Sequence, residues 1–288
     1  DNMYMATLRN KLVEVRAAAR VIVQRYGHTK KFAKHLVALV IKQIKGFTDE
    51  QLAEFLGTDP IGKQLGYGHK PNPSTFSKVR KRSDPRIFQE LYIWLLQNLL
   101  KGKQLRLIAQ DSTDIPAYSK NDKDARYGHK TPSKKEQIAR KEARKEYVFG
   151  YKLHASADAE SEVPLVSMVA PANKHDKTFF HKIYGKIKNM FTINYDAKYL
   201  LDAAYDSTDI YQELHYDNVK PVIATNGRGF YKSKLPKDPS YGKRWAIERI
   251  FSRLKEMFGL ARNRFVGIKK VTIFVFSCLI AYLVKYVM

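Results

Sequence analysis

Apolar residues recur at helical spacing from Met5 to about Lys101. Leu8, Leu12 and Val15 form one stripe, Phe32, Leu36, Val37, Val40 and Ile44 a second, and Leu91, Trp94, Leu95 and Leu99 a third. The pattern predicts an all-helical region. Cap chemistry marks its boundaries: Thr29 and Gly46 bracket one helix, and Thr48 with Gln51 forms a capping-box pair opening a short helix that Gly57 is expected to end. Asp84 followed by Pro85 opens a long helix that Gly102 closes.

Beyond Gly102 the texture changes to short β-type runs, Leu105 to Ser112, Tyr147 to Asp158 and Val163 to Val169. Helix and strand then alternate: a helix around Lys177 to Asn189, a strand Lys198 to Ala203, a helix Thr208 to His215 and a strand Lys220 to Ala224. Two helices follow, about Tyr241 to Phe258 and Lys269 to Val287. This order predicts an α/β fold in which helices flank a mixed sheet. The expected domains are residues 5–104, all-α, and 105–288, with a basic segment at 119–146. That segment carries ten Lys or Arg against five Asp or Glu, and reads as an exposed loop or frayed helix.

Val271 to Val284 is apolar except for Thr272 and Ser277, but a bilayer-spanning helix needs roughly 20 apolar residues. A buried terminal helix is expected instead, and no membrane partner. Charges at Arg9, Lys11, Glu14, Arg16 and Arg20 argue against a secretory signal at the start. The 288 residues carry a net charge of +24, which favours a polyanion such as nucleic acid. A single cysteine, Cys278, excludes an internal disulfide and a cysteine zinc cage, so a reducing cytoplasm is the expected setting.

Two carboxylates stand out against this background. Asp111 shares strand parity with Leu105, Leu107 and Ala109, so it falls on an apolar side where a lone carboxylate is costly. Asp202 ends the run Tyr199, Leu200, Leu201, and ligand sites in α/β sheets gather at strand ends. Such a pair suits a hard cation such as Mg²⁺, although strand-end aspartates are more often turn or helix caps. A third carboxylate lies in the segment Tyr241 to Lys255. On a helical wheel of about 100° per residue, Tyr241, Arg244, Glu248 and Lys255 fall within about 60°, beside a buried face of Ile247, Ile250, Phe251 and Leu254. Either Glu248 reaches a site on the sheet with Arg, Lys and Tyr as phosphate donors, or Arg244 and Glu248 form only a surface i,i+4 pair.

Tyr241, Arg244, Glu248 and Lys255 match in full the Y-x2-R-x3-E-x6-K spacing of the DDE transposases of prokaryotic insertion sequences, and the chain resembles that family. Gln110-Asp111-Ser112-Thr113 resembles its first-aspartate strand, Leu201-Asp202-Ala203-Ala204-Tyr205-Asp206-Ser207 its second-aspartate motif, and Gly150-Tyr151-Lys152-Leu153-His154 the strand between. Residues 47–82 are similar to its N-terminal helical domain. The resemblance implies an RNase H-like catalytic domain in which Asp111, Asp202 and Glu248 bind two divalent ions, Mg²⁺ with Mn²⁺ able to substitute. It further implies hydrolysis of phosphodiester bonds at transposon ends, joining of the 3′-OH to target DNA, and a homodimer assembled on double-stranded DNA in the cytoplasm, at the nucleoid. Tyr241, Arg244 and Lys255 inherit contacts near the cleaved phosphate. Only 46 residues separate Asp202 from Glu248, leaving no room for the β-rich insertion some relatives carry there. A DNA-binding regulator or domesticated transposase that no longer cuts, and a stand-alone nuclease of the same fold, are the rival readings.

Further DNA contacts are expected from Lys78, Arg80, Lys81 and Arg82, on a short helix suited to a helix-turn-helix use, and from Arg228, Lys232 and Lys243 approaching the signature segment. His154, His175 and Asp176 are possible supports for the cation site, with Asp176 read chiefly as a helix cap. Tyr205 reads equally as a packed core tyrosine or a DNA-orienting one.

Overall fold

The computed structural model describes residues 2–130, 146–225 and 234–288. The chain forms two compact units, one of Asp1–Lys101, Arg253–Leu260 and Lys269–Met288, the other of Gly102–Ser252 and Ala261–Ile268.

The first unit is helical: α1 (Asn2–Arg25), α2 (Ala33–Lys45), α3 (Asp49–Thr58), α4 (Pro60–Gln64), α5 (Ser74–Arg82) and α6 (Pro85–Leu99). Most of the predicted caps are present. Thr48 and Gln51 form the reciprocal capping box, Asp84 accepts from the Arg86 backbone N–H, and Gly46 ends α2 in the left-handed conformation. Gly57 does not end its helix, which runs on to Thr58. A Cβ there would lie 2.8 Å from that of Lys70, so this glycine serves a close chain approach. The terminal helix, numbered α10 below, also belongs to this unit, whereas the expected division at residue 104 placed it with the α/β region. Its residues Val271 to Val284 are all buried, with Phe276 edge-on to Tyr92 at 5.6 Å. That explains an apolar surface on every side. No helix among the described residues is long and apolar enough to cross a membrane.

The second unit is built on six strands: β1 (Gln104–Pro116), β2 (Arg126–Lys130), β3 (Glu146–Asp158), β4 (Val163–Pro171), β5 (Thr192–Leu201) and β6 (Lys220–Ile223). Their order is β2-β3-β1-β5-β6, with β4 also paired to β3. β1, β3, β2 and β4 pair antiparallel, while β1-β5 and β5-β6 are parallel, so the sheet is mixed. Helices α7 (Lys177–Met190), α8 (Thr208–Tyr216) and α9 (Trp245–Met257) follow in chain order, then α10 (Ile268–Tyr286). α7 covers one face, where Phe180 and Tyr184 meet Tyr199 of β5 edge-on at 5.4 and 5.5 Å. This is the arrangement of an RNase H-like domain. β2 was not expected, because residues 119–146 read as loop or frayed helix. Gly128 admits it: a Cβ there would meet the Ala172 carbonyl oxygen. Residues 131–145 of that segment lie outside the described residues.

In the first unit one ion cluster is drawn inward. Asp49, in the first turn of α3, accepts from Arg80 of α5 and Lys42 of α2, and all three side chains are mostly buried. Burial alone would raise the Asp49 carboxyl, but its two cationic partners outweigh that and hold it below the usual range. Removing one member leaves buried charge unpaired, so Asp49→Ala should cost about 3 kcal/mol or more in urea unfolding. A carboxyl depressed on folding stabilises above its unfolded pKa of about 3.9, and that contribution is lost as pH falls through the folded value. The wild type should therefore lose the difference from Asp49→Ala in acid, while the two stay far apart at neutral pH.

Candidate active site

Strand pairing brings the two aspartates together. β1 and β5 run parallel with Ala109 opposite Leu200, so two residues further along Asp111 and Asp202 stand side by side on the same face, Asp202 just past the end of β5 and Asp111 within β1, which runs on to Pro116 beyond the expected end at Ser112. Neighbouring strands are about 4.8 Å apart, which makes their charges close neighbours. Asp111 is pushed up to about 7, first by burial and then by the Asp202 charge, with Arg244 opposing. Asp202 is likewise raised, chiefly by burial. It also caps the 3-10 turn Ala203–Tyr205, accepting from the Ala204 backbone N–H at 2.9 Å. The expected cap role is thus present in the residue that stands beside Asp111.

The signature segment begins differently from the expected continuous helix. Pro239–Arg244 is a 3-10 turn, and α9 starts at Trp245, so Tyr241 and Arg244 precede the α-helix and the wheel angle assigned to them does not apply. The turn is anchored by Asp238, which accepts from the Ser240 N–H at 3.0 Å and pairs with Lys198 of β5 and Lys220 of β6. Asp-Pro-Ser is a readable N-cap with proline at the first position, a signal that could have located this anchor. Arg249 then ties α9 to Glu162, in the turn between β3 and β4, at 2.6 Å.

Held this way, Arg244 bridges two carboxylates. One guanidinium nitrogen donates to Asp111 at 3.0 Å and another donates to Glu248. The i,i+4 pair is real, with 36% of the Glu248 side chain exposed, but its arginine is only 16% exposed and also reaches Asp111, so the pair is more than a surface contact. Burial alone would disfavour the guanidinium charge; Asp111 and Glu248 outweigh it and raise its pKa. The Tyr241 ring lies 5.9 Å from the guanidinium, and burial raises its hydroxyl.

Asp176 does not cap α7 with its side chain. It accepts from Lys152 at 3.3 Å and lies 3.4 Å from His154 Nδ1. His154 is fully buried, stacked on Phe179 at 3.9 Å, and burial lowers it to about 4. Lys152 and Asp176 both act electrostatically on Asp202. Tyr205 is wholly buried and close enough to Asp111 and Asp202 to feel their charges, and His175 is exposed.

Among the described residues no three His, Cys, Asp or Glu side chains are gathered closely enough to hold one ion, since Arg244 stands between Asp111 and Glu248. The donor chemistry at Asp111 and Asp202 nonetheless suits a hard divalent cation: two adjacent carboxylates are raised by burial, and in Asp111 by its neighbour's charge, despite the arginine beside them. Lys243 is exposed beside this site, and Lys255 is half-buried further along α9, in the part belonging to the first unit. In the first unit Lys78, Lys81 and Arg82 differ from Arg80. Lys78 and Lys81 are exposed on α5, and Arg82 ends it at the surface. Arg80 is turned inward onto Asp49, which withdraws it from any DNA-facing surface. Arg228 and Lys232 lie outside the described residues.

No curated protein matches the chain. Residues 102–284, well over half of it, match the family described as transposase DDE domain, and the chain belongs to that family.

Proposed function

We propose that the chain is the transposase of a prokaryotic insertion sequence of the Y-R-E-K signature group. In this reading it binds double-stranded DNA at the element's ends as a homodimer, hydrolyses phosphodiester bonds there and joins the 3′-OH to target DNA, acting at the nucleoid in the cytoplasm. The observation that carries it is the pair Asp111, within β1, and Asp202, just past the end of the adjoining β5, connected through Arg244 to Glu248. Asp111, Asp202 and Glu248 would hold Mg²⁺, or Mn²⁺ in its place, as a two-ion centre. Bound ions of this kind polarise the scissile phosphate, activate the attacking oxygen and neutralise the leaving one.

The chain's own residues position the DNA. Arg244 presents a planar fork fixed from two sides by carboxylates, so it can hold a phosphate with little of the ordering entropy that a free side chain would lose. Tyr241 lies against it, and Lys243 and Lys255 supply further positive charge along the same segment. Lys78, Lys81 and Arg82 of α5 form a basic surface for the duplex.

Asp111→Ala, Asp202→Ala and Glu248→Ala should each abolish cleavage of end-containing DNA in Mg²⁺ while leaving duplex binding within about twofold, because loss of one ligand disrupts the two-ion geometry. A variant cutting at the wild-type rate would remove its residue from the site. A strand-transfer assay on the same DNA separates a transposase, which joins ends, from a nuclease, which only cuts, and a regulator, which does neither.

Arg244→Lys keeps one charge but cannot bridge Asp111 and Glu248 through two separate nitrogens of a planar group. Single-turnover cleavage should slow at least about tenfold, equivalent to ~1.4 kcal/mol of barrier, with a smaller change in affinity. Changing Lys78, Lys81 and Arg82 together to Ala should flatten the dependence of log affinity on log salt by about 2.7, since each phosphate that is no longer neutralised takes about 0.9 from the slope. An unchanged slope would move duplex binding to another surface.

A further inference from the structure

The second unit carries an aromatic surface that the cleavage chemistry leaves unused. β2 and β3 pair with Tyr127 opposite Phe149 and His129 opposite Tyr147, so four rings project from one face of this ribbon. They meet in pairs, Tyr127 with Phe149 at 4.9 Å and His129 with Tyr147 at 4.6 Å between centroids. A half-buried strand ordinarily turns polar residues outward and apolar ones inward. Here Gly128 and Gly150 occupy buried positions, while Tyr127 stays 65% and Tyr147 54% exposed. Cross-strand ring pairs stabilise a ribbon by roughly 0.2–1 kcal/mol, which accounts for the pairing but not for aromatic residues as the outward face.

Register places this ladder on the sheet face of the carboxylates. β3 pairs with β1 without interruption from Gly150 to Asp158, and with β2 from Glu146 to Gly150. Parity therefore carries from Tyr147 and Phe149 through Tyr151 and Leu153 to Ala155, the partner of Asp111. Phe149 stands about 20 Å from Ala155 along the strand, at ~3.4 Å per residue. The nearby charge is positive. Lys120 and Lys123 are exposed in the loop before β2. The acidic residues of that loop are occupied within the fold: Asp122 accepts from Tyr151 and from the Gly267 N–H, and Asp124 accepts from the Ile268 N–H.

Exposed rings beside exposed cations suit a strand that offers both base faces and phosphates. A duplex keeps its base faces stacked inside; an unpaired strand does not. We propose that Tyr127, His129, Tyr147 and Phe149 form a stacking platform for an unpaired DNA strand. The proposal rests on the reading that the carboxylates act on DNA, but its test does not require cutting.

The full chain is titrated, in EDTA, with fluorescently labelled oligodeoxythymidine and with a duplex of the same length. The double variant Tyr127→Ala, Tyr147→Ala should bind the single strand at least about tenfold more weakly, as expected from two missing stacking partners, and the duplex within about twofold of wild type. Tyr127→Phe with Tyr147→Phe should retain single-strand affinity, since the ring face and not the hydroxyl meets the base. Single-strand binding unchanged in the alanine variant, or equal losses for both DNAs, overturns the proposal. Photocrosslinking of unaltered protein to a strand containing 5-iododeoxyuridine, which needs no variant to fold, should label at least one of the four ring residues; adducts only elsewhere overturn it. Sedimentation gives the remaining outcome: if the alanine variant dissociates a dimer while keeping its single-strand affinity, the face belongs to a second copy of the chain and the proposal falls. Because binding is read without a divalent cation, its failure and a failure of cleavage in Mg²⁺ are separate results.

Discussion

Placing two carboxylates side by side, Asp111 within β1 and Asp202 just past the end of the parallel β5, is the constraint around which the second unit is organised. Each is largely removed from water, and burial raises both, with the Asp202 charge adding to the rise at Asp111. A protein that keeps such a pair must supply positive charge nearby, or the pair will bind a proton in its place. Arg244 is that supply. Its position is fixed through Lys198 and Lys220, which grip Asp238 at the head of the 3-10 turn. Register between β1 and β5 thus dictates where the turn must dock, and the turn dictates where Glu248 enters.

The division into units changes how the terminal helix is understood. A cut at residue 104, where the texture of the sequence shifts from helical to mixed, would separate Phe276 of α10 from Tyr92 of α6. It would also separate Lys11 from the Val284 carbonyl oxygen that it reaches at 3.1 Å. The apolar run Val271 to Val284, which has no polar side to offer water, needs those helices as its surroundings. The family match ends at residue 284 and so includes this helix, although most of the helices packed in the same unit precede the matched span.

Features governed by local rules were legible. The capping box at Thr48, the Asp84-Pro85 start and the parity that put Asp111 on an apolar face each depend on a few neighbouring residues, and each is found. Features decided by long-range pairing were not. Lys78, Arg80, Lys81 and Arg82 are indistinguishable in a charge run, yet Arg80 meets an acidic partner that lies 31 positions earlier. Asp176 has the composition of a helix cap, but Lys152, contributed by a strand 24 positions away, draws its carboxylate elsewhere. β2 escaped for a related reason: a five-residue strand with glycine at its centre carries no clear alternation, and its partner begins beyond a strongly basic segment.

Charge accounting separates two partly buried clusters, one balanced and one short of positive charge. At Asp49 one carboxylate faces two cations, Arg80 and Lys42, and its pKa falls below the ordinary range. Around Arg244 the ratio is reversed: Asp111, Asp202 and Glu248 share one guanidinium, and when all are ionised two negative charges are left over. Both clusters are partly buried, so solvent screening does not explain the difference. The first is complete as it stands, and adding a cation there would cost more repulsion than it returned. The second remains electrostatically short of positive charge even with its arginine in place. Since hard carboxylate oxygens are suited to a divalent ion, that deficit links the shifted aspartates to the family's chemistry without reference to the signature spacing.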